Sequence, residues 1–147
     1  MTKLMPTVYF WISLFLLIGA HFLFPDLIYL SGPFRYLGLV LIGFGIGLNI
    51  WTDRLFKRYE TAVKPHLNPS KLIDHGPFTL SRHPMYLGMS TVLLGTSVLL
   101  GTLQTLVFPI LFAVVMDRFF LPMEEQNLQS TFGERYQAYK GRVRRWI

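Results

Sequence analysis

The 147-residue sequence contains no cysteine, which removes disulfides, thiolate nucleophiles and sulfur-ligated metal sites from consideration. Charge is scarce as well. Asp, Glu, Lys and Arg together make up 15% of the chain, where an ordinary soluble domain carries about a quarter. The first three long apolar stretches have no acidic residue near their centres. A small proton-coupled multidrug carrier of similar size needs such a group deep in the membrane, so that reading loses its chemistry. His21, His66 and His75 lack the spacing of a metal site. Gly43, Gly45 and Gly47 follow no strand, so they form no dinucleotide fingerprint; in an apolar helix small residues serve close packing instead.

What is present is hydrophobic and unevenly distributed. Apolar residues are 52% of the chain and mean hydropathy is +0.40. Four runs reach or approach the roughly 20 residues that cross about 30 Å of hydrocarbon: Pro6 to Phe24, Phe34 to Trp51, about Tyr86 to Gly101, and Leu103 to Leu121. The first exceeds a signal-peptide core, and no small-x-small cleavage site follows it, so it is expected to be retained. Only Gly101 and Thr102 separate the last two runs, which predicts a tight helical hairpin. The expected fold is all-α: a single polytopic membrane domain over residues 1–147 with four transmembrane helices, an ordered cytoplasmic loop at 53–84 and a C-terminal amphipathic helix at 122–147.

The net charge of +6 suggests nucleic acid at first sight. Its distribution favours a membrane instead. Arg54, Lys57, Arg58, Lys64, Lys71 and Arg82 lie in the long connection, and Arg135, Lys140, Arg142, Arg144 and Arg145 in the tail, whereas the other two connections offer only Arg35. The positive-inside bias then places the long connection and both termini in the cytoplasm, in a multi-pass protein of the inner membrane, with anionic lipid heads as partners. Pro65, Pro69, Pro77 and Pro84 forbid one continuous helix in the connection, although Asp53 to about Val63 can extend the second helix into water. In the tail, Pro122, Glu124 and Glu125 mark a helix start. Leu128, Phe132, Tyr136, Tyr139, Val143 and Trp146 recur at steps of three and four, as the apolar stripe of a helix lying on the membrane face.

Two constellations could carry chemistry. Ser81-Arg82-His83-Pro84-Met85-Tyr86-Leu87-Gly88 joins the loop to the third helix, where free N–H groups beside Arg82 and His83 make an anion site. A plain interfacial anchor, with Arg snorkelling and Tyr in the aromatic belt, accounts for the same residues. Asp117-Arg118 and Glu124-Glu125 flank the loop-side end of the fourth helix. The glutamates can hold an ammonium group, pair with Arg82 or Arg118, or simply stabilise a helix start.

Taken together, AVKPHLNPSKLIDHGPF, SRHPMYLG and DRFFLPMEEQNLQSTFGERYQAYKGRVRRWI resemble the isoprenylcysteine carboxyl methyltransferase and phospholipid methyltransferase superfamily of integral membrane enzymes. The stretch covered is Thr61 to Ile147. The resemblance implies methyl transfer from S-adenosylmethionine to a lipophilic acceptor: an isoprenylcysteine-like carboxylate, or a small lipid-like thiol or amine. It also implies a cofactor held by Arg82, His83, Pro84, Tyr86, Leu87, Gly88, Glu124, Glu125, Tyr136 and Tyr139, with Arg118 and Glu125 as catalytic candidates and no metal. Arg82 and His83 would take the cofactor carboxylate, Glu124 or Glu125 its ammonium, and the tyrosines and Leu87 its adenine and sulfonium. A non-catalytic membrane scaffold on the same frame is the rival expectation.

Overall fold

The computed structural model describes residues 5–24, 28–60 and 70–147. Val63, Lys64, Pro65, His66 and Pro69, all used in the sequence argument, lie outside them. Among the described residues every regular element is helical, apart from one isolated bridge between Ile28 and Thr102. Helix α1 spans Pro6–Leu23, α2 Leu37–Tyr59, α3 Pro84–Leu100, α4 Val107–Val115, α5 Leu121–Phe132 and α6 Glu134–Arg142. Short 3-10 turns precede α2 at Gly32–Tyr36, α3 at Gly76–Thr79, and α4 at Leu103–Leu106.

Among the described residues, three helical stretches are long and apolar enough to cross a membrane: Pro6–Leu23, Gly32–Tyr59 and Leu103–Phe132. The third arises because α4 runs through a π-helical segment, Met116–Phe120, directly into α5. Helix α3 has 17 residues, so it is about 26 Å long, and it falls below that length. It is nevertheless the centre of the fold. Nine of its residues are buried, whereas α1 buries only Pro6 and Leu17. Large apolar side chains such as Phe15, Phe22, Val40, Ile110 and Phe119 face outward, as lipid-facing surfaces do.

Helices α2 and α3 cross almost backbone to backbone. A Cβ on Gly45 would lie 2.6 Å from the Gly88 carbonyl oxygen, one on Gly88 would lie 2.8 Å from the Gly45 oxygen, and one on Gly95 would lie 2.7 Å from the Gly38 oxygen. Gly38 and Gly45, like Gly88 and Gly95, are seven residues apart and so share one helix face. The expected role of small residues in α2 thus holds for Gly45, while Gly43 and Gly47 have no neighbour within 4 Å. Gly101, with φ 72°, caps α3 and turns the chain tightly into the next helix, as the sequence predicts.

The tail differs from the single helix expected. Gly133 breaks it, with φ 50° and ψ −123°, which side-chain-bearing residues rarely adopt. α6 then doubles back and ends at Arg142, followed by a non-helical strap over 143–147. The apolar stripe is therefore split between two clusters. Tyr136 and Tyr139 pack with Leu72, Ile73 and Phe78, while Trp146 packs against the core of α1, α3 and α4.

Candidate functional site

The loop end of α3 is built by local chain chemistry. Pro84 at the first helical turn costs no hydrogen bond and fixes where the helix starts. Ser81 Oγ accepts from the His83 backbone N–H at 3.1 Å and donates to the Arg145 carbonyl at 2.9 Å, and the Arg82 N–H donates to the Arg144 carbonyl at 3.1 Å. The strap therefore fastens onto the residues just before α3. Arg82 and His83 are consequently buried, at 9% and 2% exposure. Buried charge must be paired.

The partner is Glu125, 6% exposed and delivered by α5. Its Oε1 lies 3.1 Å from Arg82 Nη2, 3.4 Å from His83 Nε2 and 3.1 Å from Arg145 Nε, and its Oε2 accepts from Arg145 Nη2 at 2.9 Å. Arg145 reaches on through Nη1 to Asp117 Oδ1 at 3.3 Å, and Trp146 Nε1 donates to that oxygen at 2.9 Å. Glu125 is thus the saturated hub of an ion network. Glu124 differs. Its Oε2 is buried without a hydrogen bond, facing His83 Nδ1 at 3.5 Å. Arg82 Nε and Nη1 are likewise buried without hydrogen bonds. Burial alone would lower the His83 pKa, but the adjacent Glu124 and Glu125 carboxylates outweigh it and raise it, favouring the imidazolium. Burial, reinforced by the Glu125 charge, pushes the Tyr136 phenol up to about 12.

Two hollows flank this network. A cavity of about 110 Å³ is lined by Arg82, His83, Pro84, Tyr86 and Glu124, together with Thr52 and Phe56 of α2, Phe78, and Met5, Pro6 and Thr7 at the start of α1. On the other side an open polar groove of about 600 Å³ runs past Glu125, Tyr136, Lys140 and Arg145. Most of the sequence-selected residues converge here. Leu87, Gly88 and Tyr139 line neither hollow: Leu87 is buried, Gly88 belongs to the α2–α3 crossing, and the Tyr139 hydroxyl donates to the Phe78 carbonyl at 2.7 Å. Arg118 is exposed, and Arg145 stands beside Asp117 and Glu125, where the sequence suggested Arg118. Sequence reasoning counted Arg145 only as tail charge. No short-range spacing announces it, because its partners stand 20 and 28 residues away.

With this geometry in hand, comparison with known proteins is direct. Residues 33–135 match the family model described as phospholipid methyltransferase. A probable protein-S-isoprenylcysteine O-methyltransferase from Oryza sativa subsp. indica is 32% identical over 114 residues, covering 74% of this chain and 58% of the rice protein. The protein-S-isoprenylcysteine O-methyltransferase of Schizosaccharomyces pombe is 37% identical over 83 residues, 54% of this chain and 32% of its own length. The solved structure of the eukaryotic intramembrane Ras methyltransferase ICMT shares the fold, with a TM-score of 0.59 and 24% identity over 97% of this chain and 50% of that one. The chain thus matches between 32% and 58% of the length of these relatives. It is an integral membrane protein, and it belongs to the phospholipid methyltransferase family, which it shares with the isoprenylcysteine carboxyl methyltransferases.

Proposed function

We propose that residues 1–147 act as one domain that transfers a methyl group from S-adenosylmethionine to a lipophilic acceptor at the cytoplasmic face of the inner membrane. The observation that carries this reading is the cavity at the start of α3. It is mostly apolar, yet Arg82 and Glu124 in its lining carry buried atoms of both signs that make no hydrogen bond: Arg82 Nε and Nη1, and Glu124 Oε2. Buried polar groups in proteins are nearly always hydrogen-bonded, so such a pair calls for a ligand bearing a carboxylate and an ammonium side by side. The α-amino-acid end of S-adenosylmethionine has that pattern, and Tyr86, Phe56 and Phe78 supply π faces suited to a sulfonium. A volume of about 110 Å³ holds that end alone, leaving the nucleoside to the mouth of the site.

When bound, the cofactor supplies an electrophilic methyl group, and the protein's work is alignment and exclusion of water. Arg82 and Glu124 fix the ligand's polar end. Met85, Met89 and Phe56 keep the surroundings dry. Both termini lie on the cytoplasmic side, and α3 crosses beside the three longer helical stretches, sheltered by them. The acceptor reaches the site sideways from the bilayer, as suits an isoprenylcysteine-like carboxylate or a lipid-like thiol or amine.

Calorimetric titration of the detergent-purified protein with S-adenosylhomocysteine tests this reading, with saturable binding expected for the wild type and at least tenfold weaker binding for Arg82→Ala. Absence of binding to the folded wild-type protein would overturn it. Membranes incubated with methyl-labelled cofactor then identify the acceptor class by the labelled product.

A further inference from the structure

Three cations compete for Glu125, and they do not compete equally. Arg82 and His83 reach only Oε1, whereas Arg145 holds both oxygens, Nε on Oε1 at 3.1 Å and Nη2 on Oε2 at 2.9 Å. A guanidinium next to a carboxylate favours the two-pronged fork. Arg82 does not form it, because its second acceptor is already taken. The consequence appears in the rest of the Arg82 guanidinium, whose Nε and Nη1 stay buried without a hydrogen bond on a side chain that lines the cavity.

We infer that Arg145 is a positioning residue: by occupying Glu125 Oε2 it restricts Arg82 to a single contact and so keeps two Arg82 donors turned toward a ligand carboxylate. The inference rests on the methyltransferase reading above and adds a specificity element to it. Several observations make Arg145 suited to the task. The backbone of Arg144 and Arg145 is tied to Ser81 and Arg82 by two hydrogen bonds of 3.1 and 2.9 Å, so the strap and the start of α3 keep a fixed relation that does not depend on the Arg145 side chain. Asp117 anchors the guanidinium from the far side through Nη1 at 3.3 Å, and Trp146 steadies Asp117 in turn at 2.9 Å. The side chain itself is one-third exposed, so substitution there opens no cavity in the core.

Without Arg145, the released Oε2 draws Arg82 into the fork, and the donors leave the cavity. Affinity for ligands with an α-carboxylate then falls, while affinity for ligands without one does not. The test compares binding of S-adenosylhomocysteine with that of its decarboxylated analogue, for wild type, Arg145→Met and Arg145→Lys. Wild type is expected to prefer the carboxylated ligand by about tenfold or more, the worth of a charge-assisted hydrogen bond. Arg145→Met should bring that ratio close to one. Arg145→Lys, which can still hold Oε2 with a single ammonium, should keep most of it. A general loss of structure weakens both ligands alike and leaves the ratio in place, so the ratio separates positioning from stability. An unchanged ratio in folded Arg145→Met, or a ratio lost equally in Arg145→Lys, would overturn the inference while leaving the cofactor reading intact. If Arg145→Met does not fold, the lysine variant alone decides, since its loss of the ratio contradicts the proposal. Failure of the wild type to bind either ligand would sink both.

Discussion

At the Gly101 end of α3, Ser97 Oγ donates to the Thr105 carbonyl at 2.8 Å, Thr105 Oγ1 to the Thr102 carbonyl at 2.6 Å, and Arg35 Nε to the Leu99 carbonyl at 2.9 Å. His21 Nδ1 meets Thr102 Oγ1 at 3.1 Å. Among the described residues, only Gln104 Oε1 is left there as a buried side-chain atom without a partner. At the Pro84 end, by contrast, Arg82 Nε and Nη1, His83 Nδ1 and Glu124 Oε2 all lack hydrogen bonds, and they surround a cavity. One helix thus carries two buried polar ends with opposite uses. Satisfied groups close a turn; unsatisfied ones, held in place by a saturated neighbour, are those proposed above to meet a ligand.

The sharpest attempt to break this contrast is Glu125→Gln. Removing the charged hub leaves Arg82 and Arg145 without their shared counter-ion, and losses of about 3–5 kcal/mol follow when a buried pair is broken this way. Thermal unfolding in detergent should show it directly. Next in size is Gly88→Ala, between the two ends, where a methyl group would sit 2.5 Å from Asn49 Oδ1 and 2.8 Å from the Gly45 carbonyl. The expected cost is about 1–3 kcal/mol, whereas Gly43→Ala, with open space around it, should stay within about 0.5 kcal/mol. Glu124→Gln should leave unfolding nearly unchanged yet weaken S-adenosylhomocysteine by about tenfold in calorimetry, the worth of a charge-assisted hydrogen bond. The mildest is Thr102→Val at the satisfied end. It should cost about 0.5–1.5 kcal/mol of stability and leave cofactor affinity untouched. Equal effects of the Glu124 and Thr102 substitutions on affinity would erase the distinction between the ends.

Sequence pattern reached the helices because hydrophobic length is a local property: the first, second and fourth runs lie where the long helical stretches do, and Pro84 marks the start of α3. It also brought Arg82 and His83 toward the paired glutamates, since both groups fall at the same end of neighbouring runs. It did not tell Glu124 from Glu125. Adjacent residues on a helix point about 100° apart, and which of them meets the three cations depends on how α5 is rotated, a tertiary fact. Gly133 looked like part of one amphipathic stripe, because a break at a positive φ does not disturb the spacing of apolar residues before and after it. That break is what returns Arg145 to Glu125. In α2, the eye is drawn to glycines two apart, yet packing is governed by those seven apart, which share a face.

The reciprocal glycine contacts of α2 and α3 also have a mechanical meaning. Where backbone meets backbone at these glycines, few side chains can re-rotamer to absorb strain, so the two helices form a stiff pair that contributes Thr52, Pro84 and Met89 to the cavity wall. The opposite wall, Met5, Pro6 and Thr7 at the head of α1, belongs to a helix that buries only two of its residues. Packing restrains the cavity less on the α1 side, so the proposed acceptor is expected to enter along α1.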